Sequence, residues 1–230
     1  MMLYVNGDSH TAAAEAVNPH AFCEDDQKYK HLGRLPHPDN LLVSWGKQLA
    51  GLTKMTFFCD AESAASNDRI VRTTKQWIEN YPGKPDNLFV IIGWSTWERE
   101  EWLIDDIYYQ VNASGIDYVP ESHIIKYKQY IASVDWNQKT IDWHYKIHAL
   151  HDWLDENGVK HIFFNCNNNF SEIQDREDWG DSYISPYSDT YDSYLRQQGQ
   201  IPLNSYHYDE HGHSIWSKFL LMHILKNNLL

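Results

Sequence analysis

Four short apolar runs alternate with stretches of helical periodicity, and that alternation constrains the fold more than any other feature. The runs are Met2–Asn6, Met55–Cys59, Leu88–Ile92 and Lys160–Asn165. Leu88–Ile92 is apolar without interruption, as in a strand covered on both faces. Between the runs, Asp39 should cap an amphipathic helix reaching about Leu52. Ser66 or Asn67 should cap a second, with Ile70, Thr74, Trp77, Ile78 and Tyr81 on one face. Ile124–Val134 reads as a third helix, and Trp143, Ile147, Leu150 and Leu154 mark a fourth that ends at Asn157-Gly158. Short helices around Ser188–Gln198 and a closing amphipathic helix, Glu210–Leu229, complete the pattern. Strands alternating with helices predict an α/β chain: a three-layer α/β/α sandwich around a parallel sheet, in one domain of 230 residues.

The remaining segments read as connections. Ala12–Val17 could begin a helix that Pro19 halts, and Asn18–Pro38 reads as a long surface excursion. Gly93–Val119 has no clear period and suggests an irregular loop, with 94–119 as a lid or insertion. Asn167–Pro186 is polar and loop-like.

Charge and composition exclude several classes of function. Nineteen Lys and Arg against 32 Asp and Glu give a formal charge of −13, which repels phosphate backbones and anionic lipid. Neither nucleic acid nor a membrane surface is therefore expected as a partner. No run approaches eighteen apolar residues, so no membrane span is expected. The start of the chain shows no basic segment followed by an apolar core, which points to a cytoplasmic protein. Cys23, Cys59 and Cys166 are odd in number without CxxC spacing, and read as reduced thiols. Aromatic residues reach 14%, enough to line a groove for sugars as well as fill a core.

In a parallel sheet, ligands sit beyond the carboxyl ends of the strands. Gly7-Asp8-Ser9, Asp60–Asn67, Gly93-Trp94-Ser95 and Asn165-Cys166 should converge there. Gly7-Asp8-Ser9-His10 follows the first strand directly, so a sharp turn would hold Ser9 at the mouth of the sheet. A serine is a weak nucleophile until an imidazole takes its proton. The simpler reading is a strand-to-helix turn in which Asp8 or Ser9 only caps. Near the other end, His207 lies in His207-Tyr208-Asp209-Glu210-His211-Gly212-His213, immediately before the last helix.

Together these two blocks resemble the SGNH hydrolases, the GDSL esterase and lipase family, and are closest to small phage-encoded SGNH-like proteins. The resemblance implies a flavodoxin-like sandwich with Ser9 as nucleophile and His207 as base. It also implies an oxyanion hole from the Ser9 N–H, the N–H of Ala64 where the family has glycine, and Ser95 where the family has asparagine. Asn204 stands where the family has the aspartate that orients the histidine. An Asp-to-Asn change in a serine-protease triad costs ~10,000-fold in turnover. Another acceptor for the His207 Nδ1 proton would restore that function. Asp8, Asn67, Trp94 and Arg99 are the candidate substrate-side residues, with Trp94 and Trp97 forming either a sugar platform or a packed lid. Ser9 Oγ should lie about 2.6–3.2 Å from the His207 ring.

His207, Asp209, His211 and His213 alternate, so an extended segment could present them to a metal. Gly212–Leu225 reads as helix, which removes His213 from that face and disfavours a metal. The sequence therefore points to a serine hydrolase of a small acyl ester, such as an O-acetyl group on a carbohydrate, needing no metal or organic cofactor. The alternative is an SGNH-fold protein, weak or inactive in catalysis, that uses its cleft for binding or structure.

Overall fold

The computed structural model describes residues 1–113, 115 and 119–230. Its centre is a five-stranded, all-parallel sheet made of β1 (Met2–Gly7), β2 (Thr56–Cys59), β3 (Leu88–Trp94), β6 (Lys160–Asn165) and β7 (Tyr183–Ile184), in the order β2-β1-β3-β6-β7. Register aligns Val5 with Ile91 and Ile91 with Ile162, so the apolar runs stack side by side.

Alternation along the strands fills two cores. Leu3, Val5, Phe89, Ile91, Ile162 and Phe164 point to one face. There they meet Trp45 and Leu49 of α2 (Trp45–Thr53), Tyr191 and Leu195 of α6 (Tyr191–Gln197), and Trp216 and Leu220 of α7 (Glu210–Lys226). Tyr4, Val90, Ile92 and Phe163 point the other way. They pack on Ile70 of α3 (Asn67–Glu79) and on Trp143, Ile147, Leu150 and Leu154 of α5 (Trp136–Glu156). Period two in the strands and period 3.6 in the helices thus produce the three layers expected. No described helix is long and apolar enough to cross a membrane.

Four connections differ from expectation. The helix expected from Asp39 to Leu52 is two, α1 (Pro38–Val43) and α2. Ser44 between them is extended and accepts a hydrogen bond from Lys47 N at 3.2 Å, starting a new helix. His37 caps α1 through its bond to Asp39 N, in place of Asp39. Ala12–Val17 forms no helix; Ala13 and Glu15 are left-handed, which breaks any helical run. In the 94–119 segment, β4 (Glu100–Ile104) and β5 (Ile107–Val111) pair as an antiparallel hairpin, closed by left-handed Asp105 and Asp106. That hairpin packs Trp102, Ile104 and Val111 on Tyr127 of α4 (Ile124–Ala132), forming a small third core. Residues 114 and 116–118 of the expected lid lie outside the described residues. Finally, the polar 167–186 stretch contains β7, a two-residue edge strand too short to leave a periodic signal.

Candidate active site

The turn after β1 can be followed atom by atom. A Cβ on Gly7 would lie 2.2 Å from Thr11 Oγ1 and 2.7 Å from the Gly93 carbonyl oxygen, so only glycine fits. The next turn closes on the Asp8 carbonyl, which accepts from Thr11 N and Ala12 N. The Asp8 carboxylate is fully buried. Its Oδ1 accepts from His10 N at 3.0 Å, and its Oδ2 from Ser95 Oγ at 3.0 Å and Arg99 Nη1 at 3.2 Å. A buried carboxylate with a guanidinium and two neutral donors is well compensated. Asp8 therefore acts as the anchor of the turn and of Arg99, beneath the surface the substrate would meet.

Ser9 emerges from this turn into a cavity of about 360 Å³ shared with His10, Arg99, Asn167 and His207. Sequence positions at opposite ends of the chain meet there. His207 Nδ1 lies 3.0 Å from Glu15 Oε2, across 192 residues. With Nδ1–H donated to Glu15, Nε2 is left as the basic nitrogen. Burial pushes the Glu15 carboxyl up, but hydrogen bonds from Ser205 and His207 outweigh it and hold the group below the ordinary glutamate range. Asn204 is exposed and, among the described residues, makes no hydrogen bond to His207. The orienting position is occupied by Glu15, a residue without a motif around it. Ser9 and His207 share the cavity, and among the described residues no hydrogen bond joins them.

The candidate oxyanion donors divide. Among the described residues, neither the Ser9 N–H nor the Ala64 N–H is used in a hydrogen bond. Ala64 is left-handed, at φ 64°, the conformation glycine adopts most readily. The Ser95 hydroxyl, by contrast, donates to Asp8 Oδ2 and accepts from Arg99 Nη1 at 2.8 Å. Its hydrogen is thus already used. Arg99 replaces it on the cavity wall: Nη1 is held by Asp8, Ser95 and the Ala65 carbonyl, while Nη2 has no partner among the described residues.

Asn67 and Trp94 do not face the cavity. Asn67 is buried and clamps the chain after β3, accepting from Ser95 N at 2.8 Å and donating to Ser95 O at 3.1 Å. Trp94 and Trp97 are core residues; Trp97 stacks on Phe170 at 4.9 Å, so neither offers a sugar platform. His10, missed as a site residue, is buried between the Tyr191 and His207 rings, each 5.4 Å away. Burial lowers its pKa, a shift that the Asp8 carboxylate opposes and neighbouring His207 reinforces, and the Asn167 amide lies 3.1 Å from Nε2.

With fold and site described, similarity to known sequences can be placed on them. Residues 39–185, more than half the chain, match the profile of a family of unknown function, DUF6071. The chain belongs to this family. No curated protein matches it. The DUF6071 segment runs from α1 to β7 and contains Ala64, Ser95 and Arg99, whereas Ser9, Glu15 and His207 lie outside it.

In this DUF6071 protein the four alternating residues near the end of the chain do not share a face. Asp209 caps α7, accepting from Gly212 N, and His213 is buried inside the helix with Nδ1 against Trp45 N. Burial, then the nearby His10 and His207, lower the His213 pKa to about 3. One other group among the described residues could hold an ion: His151, Asp155 and His161. It lies at the start of β6, the opposite end of the sheet from Ser9, and is closed by a 2.8 Å contact between His151 Nδ1 and His161 Nε2.

Proposed function

We propose that this protein is a serine hydrolase of small acyl esters, with Ser9 as nucleophile, His207 as general base and Glu15 as the carboxylate that orients it. The observation that carries this reading is the Glu15–His207 pair bordering the cavity that Ser9 enters. A carboxylate fixing Nδ1–H makes Nε2 basic and stabilises the imidazolium formed when it takes a proton. Ser9 Oγ transfers its proton to His207 Nε2 as it bonds to the ester carbonyl carbon. The carbonyl π electrons move onto oxygen, where the Ser9 N–H and Arg99 Nη2, both without a partner among the described residues, would serve as donors. Collapse breaks the bond to the alcohol, which leaves with the His207 proton. Water then gives a proton to His207 as its oxygen bonds to the acyl carbon; the bond from that carbon to Ser9 Oγ breaks, Oγ takes the proton back from His207, and the acid leaves.

The binding-protein alternative is favoured by one observation, the missing Ser9–His207 hydrogen bond. In unliganded sites that bond is often long and tightens only with substrate. Hydrolysis of p-nitrophenyl acetate separates the two. The expected result is turnover that Ser9→Ala and His207→Ala each reduce by at least ~1000-fold. Equal rates for wild type and both variants would leave a binding protein.

A further inference from the structure

We infer that a second cavity, lined in part by Ala64, is a binding site for a neutral sugar unit. The inference deepens the hydrolase reading by naming its substrate class, and rests on that reading only for the step that brings an acyl substituent to Ser9. The cavity, about 580 Å³, lies between α3, the β4–β5 hairpin and the 22–34 excursion, and is larger than the one at Ser9. Its size is that of a small-molecule site.

The walls combine ion-paired planar groups with aromatic rings. Arg72 makes a two-pronged bond to Glu101, both contacts at 2.7 Å. Arg69 and Arg34 both reach Glu62, at 3.1 and 3.0 Å. Each guanidinium in the wall therefore already faces a carboxylate. An anionic ligand would have to displace an internal carboxylate, and an apolar one would strand the charges without water. A neutral polyol suits both halves of each pair, because its hydroxyls donate to carboxylate oxygens and accept from guanidinium N–H groups.

The rings supply the apolar component. Tyr108 and Phe22 line the cavity, and Arg72 and Arg34 stack on them at 3.9 and 4.1 Å, which fixes their orientation. Tyr108 is 47% exposed, a large ring kept at the surface on a hairpin. Gln110 is held from both ends, by Ser66 N and by Glu101 Oε1, each at 2.8 Å. Such a wall loses little freedom on binding. Ala64 is part of the lining, and the carbonyl of the next residue, Ala65, accepts from Arg99 Nη1 at 3.5 Å in the wall of the Ser9 cavity. A sugar bound here would approach the hydrolytic site through Ala65 and Arg99.

The test uses the full chain carrying Ser9→Ala, so that binding is read without turnover. Cellotriose, maltotriose, mannotriose and chitotriose, with inorganic phosphate and sulfate as anionic probes, are titrated and followed by saturation-transfer NMR. Saturable binding of at least one neutral sugar is expected, weakened about tenfold or more by Tyr108→Ala and unchanged by Lys218→Ala on the exposed side of α7. Tyr108 is half exposed, so Tyr108→Ala should keep its circular dichroism spectrum; Arg72→Lys, which keeps the charge but loses the planar pair, is the second variant. Absence of sugar binding, binding indifferent to both variants, or binding of phosphate or sulfate alone overturns the inference. Ester hydrolysis by the unsubstituted chain reports separately on Ser9, so the two failures are distinguishable.

Discussion

Glu15 shows how a side chain acquires a partner that its neighbours in sequence do not announce. It sits in a turn of left-handed residues, and that backbone path directs its carboxylate to His207 from the far end of the chain. Glu15→Gln should lower kcat by ~100- to 10,000-fold with little change in KM, because the amide no longer fixes the tautomer or stabilises the imidazolium. Asn204→Ala, at an exposed position, should stay within about threefold of wild type. Steady-state kinetics on the two variants decide which residue orients the base. Ala64 offers a check on backbone strain. Left-handed alanine costs roughly 1 kcal/mol, so Ala64→Gly should raise stability by up to about that amount in urea unfolding. That Ser9, His207 and Arg99 would share one cavity could be read from the sequence, because each lies beside a strand end or a helix start. Glu15 was not, because a hydrogen bond across 192 residues leaves no local pattern.

At the scale of elements, what could be read and what could not follow from physical length. Strands β1, β3 and β6 and helices α3, α5 and α7 each repeat an apolar period often enough to be recognised, and they carry both main cores. The break at Ser44 and the β4–β5 hairpin depend instead on one or two residues with particular backbone angles, and β7 is only two residues long. Trp94 and Trp97 were ambiguous for a related reason: composition shows an aromatic, but burial decides whether it lines a groove or fills a core. The helix that follows His207 depends on its cap. Asp209 Oδ1 accepts from Gly212 N at 3.0 Å, so Asp209→Ala should destabilise the chain by about 0.5–2 kcal/mol, measured by urea unfolding. Because α7 begins at Glu210, that loosening should also lower the rate of ester hydrolysis through the placement of His207.

For the molecule as a whole, buried imidazoles set the response to acid. Burial lowers the pKa of His10, of His213 to about 3 and of His161 to about 4. Each is depressed below the unfolded value near 6.5, so the unfolded chain binds more protons between those limits. Their contribution to stability is complete above about pH 6.5 and is lost as pH falls toward the folded values, at up to about 1.4 kcal/mol per pH unit for each. Glu15, also depressed, adds a loss that begins only below the ordinary glutamate range. Urea midpoints should therefore fall steadily from about pH 6.5 downward, and His213→Asn, which keeps an acceptor for Trp45 N, should flatten that slope by close to one proton. An unchanged slope would mean that His213 is not the buried neutral group described.

In the proposed mechanism, residues from the two ends of this chain assemble one activated serine. Treatment with a fluorophosphonate, followed by mass spectrometry of the peptides, reads that assembly at the nucleophile itself. One adduct is expected, on Ser9, absent in Ser9→Ala and formed at least ~100-fold more slowly in Glu15→Gln. A folded wild-type protein that remains unlabelled, or one labelled elsewhere than Ser9, would contradict it.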